Sequence, residues 1–80
     1  MDILKVMGCR IKELRKEKRL RQAEVAELLG VTPQHYQKIE YGKVNVSALT
    51  LCTLADYFEV TTDYLLGRSE ERTAAREKTS

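Results

Sequence analysis

Three residues, Gly30, Val31 and Thr32, are all that separates two stretches of the chain that each read as helix. Val25, Ala26 and Leu29 mark the inner side of the first, and Gly30 follows where a left-handed backbone closes a helix at least cost. Thr32 is an N-cap, and Pro33 takes the first helical position, where its missing N–H has no partner to lose. The spacing predicts helices over 22–29 and 33–41. Two helices joined by so short a turn cross at about 90–120°. That crossing requires a small residue, Ala26, and an apolar anchor in the turn, Val31. Tyr36 and Ile39, three apart, seat the second helix and leave its opposite, polar face uncovered. A helix anchored on one side and polar on the other suits a DNA major groove, about 12 Å wide.

The rest of the chain repeats the three-and-four spacing, and no segment alternates with the period of a strand. Met7, Ile11 and Leu14, extended by Ile3 and Leu4, predict a helix over 3–18. Gly8 inside it costs about 1 kcal/mol relative to alanine, so the first turn or two are expected to fray. Ser47 caps a fourth helix running to Phe58, with Leu51, Leu54, Ala55 and Phe58 as its core stripe. A short fifth helix fits 62–66 between Thr61 and Gly67. Residues 68–80 are polar and charge-balanced, and frayed helix or disorder is expected there. A chain of 80 residues encloses one core. The expected fold is therefore all-α: five helices in one domain over 1–67, followed by a charged tail over 68–80.

Several function classes are disfavoured by what is missing. No apolar run approaches the roughly 20 residues that span a bilayer, and no export signal is present, so a cytoplasmic protein without a membrane partner is expected. Cys9 and Cys52 stand alone without a CxxC pair, and small buried or half-buried apolar roles are expected for both. There is one histidine, His35, and no cluster at ligand spacing. Phosphate-loop, dinucleotide and nucleophile-elbow motifs are also missing. No catalytic residue, metal or cofactor is expected. The net charge is only +2, but Arg10, Lys12, Arg15, Lys16, Lys18, Arg19 and Arg21 crowd one short stretch against Glu13 and Glu17. Such a run suits a polyanion, although from Lys12 to Arg19 the solvated side of a helix is the expected reading.

With these positions in place, residues 10–66 resemble the phage repressor and Cro proteins, the XRE or lambda-repressor-like helix-turn-helix family. The matching text is RIKELRKEKRLRQAEVAELLGVTPQHYQKIEYGK, continuing with SALTLCTLADYFEVTTDYLLG. The resemblance implies a lambda-repressor-like bundle whose helices 2 and 3 form the helix-turn-helix. It implies that Thr32, Pro33, Gln34, His35 and Lys38 read bases. Gln34 is suited to adenine and Lys38 to guanine, each such contact being worth about 1–3 kcal/mol of discrimination. It also implies phosphate contacts from Gln22, Tyr41 and Lys43, with Arg10 and Arg21 as further candidates. Gln22 braces the recognition helix as well. Arg15 and Glu40 correspond to an ion pair, partly buried, that locks the first helix to the third. Tyr41 stands where asparagine is usual, Val46 where proline is usual, and Ala48 where a larger aliphatic residue is usual.

The implied function is a bacterial or phage-type transcriptional regulator, a repressor that binds an inverted repeat on double-stranded DNA as a homodimer. RNA polymerase or another protein is a further expected partner. An antitoxin-like or anti-repressor module is the alternative on this fold, but the polar outer face of helix 3 lacks the large anchors of a protein hot spot. Leu49, Tyr64 or Leu65 could either complete the core or form a dimer seam. The chain leaves no room for a sensor domain, so regulation through concentration, proteolysis or a partner is expected.

Overall fold

Asp2, Thr32, Ser47 and Thr61 each turn a side-chain oxygen onto an amide of the helical turn that follows, satisfying donors that have no partner within the helix. Before α2, the Glu24 carboxylate accepts the Arg21 amide at 2.7 Å. The computed structural model describes residues 2–73. The helices are α1 (Ile3–Glu17), α2 (Gln22–Leu29), α3 (Pro33–Glu40), α4 (Ala48–Phe58) and α5 (Thr62–Leu65). Among the described residues there is no strand. The expected five-helix architecture is thus the one observed. Helices α1, α3 and α5 end one residue sooner than the sequence predicts, because Lys18, Tyr41 and Leu66 serve as C-caps.

One core collects Met7, Ile11 and Leu14 of α1, Val25 and Ala26 of α2, and Tyr36 and Ile39 of α3. Leu54, Ala55 and Phe58 of α4 and Tyr64 and Leu65 of α5 complete it. Leu29, Val31 and Leu51 are only partly buried at its edge. The turn between α2 and α3 follows from two backbone bonds: Gly30 N–H to Glu27 O at 3.1 Å and Val31 N–H to Ala26 O at 3.0 Å. Gly30 has φ +72°, in the left-handed region.

Three expectations are corrected here, and one open alternative is resolved. Helix α1 is continuous from Ile3, with Asp2 accepting the Leu4 and Lys5 amides at 3.0 and 3.3 Å. Gly8 is a packing residue: a Cβ there would overlap the carbonyl oxygens of Ile39 and Glu40. Cys9 and Cys52 are both exposed, not buried. Tyr64 and Leu65 belong to the core, whereas Leu49 is 80% exposed. Residues 68–73 are not helical and fold back onto the domain through specific contacts. The Thr61 amide donates to the Arg72 carbonyl at 2.8 Å, and the Arg72 guanidinium meets both carboxylate oxygens of Glu17 at 2.9 and 2.8 Å. The remaining tail, 74–80, lies outside the described residues.

Candidate nucleic-acid interface

The third helix is fixed from below and free above. Tyr36 and Ile39 are buried on its inner side, while Thr32, Pro33, Gln34, His35 and Lys38 are exposed. Thr32 Oγ1 accepts the His35 amide at 3.1 Å. That cap shapes the first turn and leaves the side chains of Gln34, His35 and Lys38 pointing outward together.

Beneath α3, Glu40 gathers three helices. Its carboxylate, with no exposed side-chain surface, accepts from Arg15 Nε at 2.6 Å and from the same guanidinium again at 3.3 Å. It also accepts from Gln22 Nε2 at 3.0 Å and from the Tyr36 hydroxyl. Arg15 is completed by the Leu20 carbonyl at 2.8 Å. Burial alone pushes the Glu40 carboxyl up, but the hydrogen bonds from Arg15, Tyr36 and Gln22 outweigh it and hold the group below its ordinary range. Hydrogen bonding to Glu40 raises the Arg15 guanidinium, and burial, then the bond to Glu40, raises the Tyr36 phenol well above its usual value. At neutral pH this is a carboxylate, a guanidinium and a neutral phenol, and no buried polar side-chain atom among the described residues lacks a partner. Arg15 is consumed by this cluster and does not reach solvent as free charge.

The other expected contacts are distributed unevenly. Gln22 opens α2, and its amide nitrogen keeps a second N–H beyond the bond to Glu40. Arg21 is exposed beside Glu24, at 3.5 Å. Tyr41 is half exposed just past α3; Gln37 Nε2 lies 3.4 Å from its hydroxyl and Lys43 Nζ lies 6.0 Å from its ring centre. Gly42, with φ +72°, packs so closely on Lys5 that a Cβ would overlap the Lys5 backbone. Arg10, by contrast, is not a free cation. Its guanidinium donates to the Tyr64 and Ser69 carbonyls and to Glu70, and lies 4.3 Å from the Tyr64 ring centre. The sequence offers no signal for this, because the partners stand more than fifty positions away. Gln37 belongs to the polar outer face that the sequence shows with Gln34, His35 and Lys38, and its spacing of four from Tyr41 accounts for the contact between them. Among the described residues no cluster could hold a metal, and no helix is long and apolar enough to cross a membrane.

Two short helices about a glycine turn, the second held by its inner side and bare on its outer side, define a helix-turn-helix unit. The helix-turn-helix family profile matches residues 11–65. The SPβ prophage-derived uncharacterized HTH-type transcriptional regulator YonR of Bacillus subtilis is 39% identical over 61 residues, covering 76% of this chain and 56% of that protein. The HTH-type transcriptional regulator AnsR of the same organism is 39% identical over 66 residues, covering 82% of this chain and 57% of AnsR. Among solved structures, the restriction-modification controller protein C.AhdI of Aeromonas hydrophila superposes with TM-score 0.68 at 32% identity. The match covers 78% of this chain and 94% of the controller protein. The chain spans little more than half the length of the two Bacillus relatives. It belongs to the XRE-type, Cro/C1-like helix-turn-helix family, a family of transcriptional regulators rather than of enzymes.

Proposed function

We propose that the protein is a sequence-specific DNA-binding repressor that acts in the cytoplasm, occupying an inverted-repeat operator as a homodimer with α3 in the major groove. The observation that carries this reading is the two-sidedness of α3: Tyr36, Ile39 and Glu40 are buried while Gln34, His35 and Lys38 face solvent. Thr32, Pro33, Gln34, His35 and Lys38 form the base-reading set. Gln22, Arg21, Tyr41 and Lys43 form the phosphate set that fixes register. Arg10, already bonded to the protein, drops out of it. In a homodimer the two α3 helices enter successive major grooves about 34 Å apart, and occupancy excludes RNA polymerase from an overlapping promoter. Leu49, exposed on α4, is the residue of the three seam candidates left available for the second copy.

Selection of bound fragments from a random DNA pool tests the reading. Two half-sites in inverted orientation are expected. Gln34→Ala should relax preference at one base pair of each half-site, at about 1–3 kcal/mol of lost discrimination, while Lys43→Ala should weaken all sequences evenly. A pool without an enriched motif, or equal losses on every sequence for both variants, overturns the base-reading assignment. Leu49→Glu should shift sedimentation toward the monomer, and an unchanged profile would exclude the α4 seam.

A further inference from the structure

We infer that residues 68–73 form a strap that opens and closes on the folded domain, with Arg72 and Glu17 as its latch and Arg10 as its anchor. The segment contains Arg68, Ser69, Glu70, Glu71, Arg72 and Thr73, none of them apolar, so no apolar side chain anchors it in the core. It is held by polar contacts: the Arg68 amide donates to the Asp63 carbonyl at 2.9 Å where the segment leaves α5, and two arginines grip the rest. At the near end Arg10, rising from α1, takes the Ser69 carbonyl at 2.8 Å and Glu70 at 3.0 Å. At the far end Arg72 reaches back to Glu17 with two parallel bonds of 2.9 and 2.8 Å, and its Nε lies 3.3 Å from the Tyr64 hydroxyl. The two guanidiniums lie 4.3 and 5.4 Å from the centre of the Tyr64 ring.

The latch is solvated: the Arg72 and Glu17 side chains are 43% and 53% exposed. A paired fork of this kind is directional, yet in water it is screened by salt. Opening at the far end, with Arg10 still holding the near end, therefore breaks the Arg72–Glu17 pair, the Arg72 contact to the Tyr64 hydroxyl and one backbone bond, Thr61 N–H to the Arg72 carbonyl at 2.8 Å, while the helices beneath keep their own ladders. Local openings of this sort run well below the free energy of global unfolding. The Thr61 amide reports the event, because its acceptor is the strap itself.

Native-state hydrogen exchange of the full chain, read amide by amide, tests this. The reference amides are Val60, which donates to Ala55 at 2.9 Å beside the strap, and Tyr36, which donates to Thr32 at 3.0 Å in the core. Thr61 is expected to exchange at least tenfold faster than Tyr36, and faster still as salt is added. Arg72→Ala and Glu17→Gln should each speed Thr61 further with Val60 and Tyr36 unchanged. Restoration by the exchanged pair, Glu17→Arg with Arg72→Glu, would identify the latch. Thr61 exchanging in step with Tyr36, no response to Arg72→Ala, or acceleration of all three amides together would overturn the inference.

Discussion

Glu40 is the residue on which the attitude of α3 depends, since Arg15 of α1, Gln22 of α2 and Tyr36 of its own helix all donate to it. Removing one partner strands a charge away from water. Arg15→Ala is expected to cost about 3–5 kcal/mol, measurable by urea denaturation. The same group sets an acid limit. Glu40 is held below its ordinary value of 4.5 in the folded chain, so its contribution is fully present above that value and is lost as pH falls through the folded-state one. Wild type should therefore lose more stability than Glu40→Gln across the acid range, and parallel curves would show that the charge contributes nothing. Gly8 gives a second test at this scale. Alanine is the better helix former by about 1 kcal/mol, but the carbonyls it would strike are backbone and cannot swing away. Gly8→Ala should destabilise by about 1–3 kcal/mol. The spacing of Arg15 and Glu40 within a familiar pattern made their pairing legible. Along the sequence Gly8 is visible only as a propensity defect, because its neighbours on α3 lie far along the chain. The cysteines misled for a related reason: Cys9 and Cys52 fall on the outer faces of α1 and α4, and residue type alone does not say which side is covered.

At the level of elements, all five helices close alike, through a residue with positive φ: Arg19, Gly30, Gly42, Glu59 and Gly67. In the sequence, Gly30 and Gly67 are legible as stops, and Gly42 follows the expected end of α3 directly. Arg19 and Glu59 were invisible in that role, since a left-handed backbone at an ordinary residue leaves no compositional mark. Glu59, at φ 57°, bears a strain that glycine relieves, offset by the greater freedom glycine loses. Glu59→Gly should stabilise the fold by up to about 1 kcal/mol, read as a higher urea midpoint. The two glycines flanking α3 separate strain from crowding. Gly30 has open space around it, whereas Gly42 abuts the Lys5 backbone. Gly30→Ala should cost about 1 kcal/mol, and Gly42→Ala clearly more by the same measurement.

Across the whole molecule, the basic stretch from Arg10 to Arg21 divides into charges drawn into the fold and charges left on its surface. Arg15 supports α3 and Arg10 anchors the segment after α5, while Lys12, Lys16, Lys18, Arg19 and Arg21 are exposed. A count of positive charge along the sequence therefore overstates what a polyanion can meet. Affinity for DNA should fall log-linearly with salt, and Lys43→Ala should lower the slope by about 1; Arg10→Gln, which removes a charge already bonded within the protein, should leave it unaltered. A lower slope for Arg10→Gln would return that residue to the interface. Helix class, helix order and the two-sided α3 were readable because they rest on local spacing. The strap was not, because its grip joins residues 55 positions apart.

The segregation of α3 also bears on how such a protein diversifies. Among the described residues the side chains of Gln34, His35 and Lys38 make no hydrogen bond to the rest of the molecule, while those of Tyr36 and Glu40 do. Exchanging the outward residues alters the surface offered to a ligand and leaves the supports untouched. Stability and the chemistry displayed on α3 can therefore be altered independently: variants confined to Gln34, His35 and Lys38 should keep the stability read by urea denaturation within about 0.5 kcal/mol of the parent.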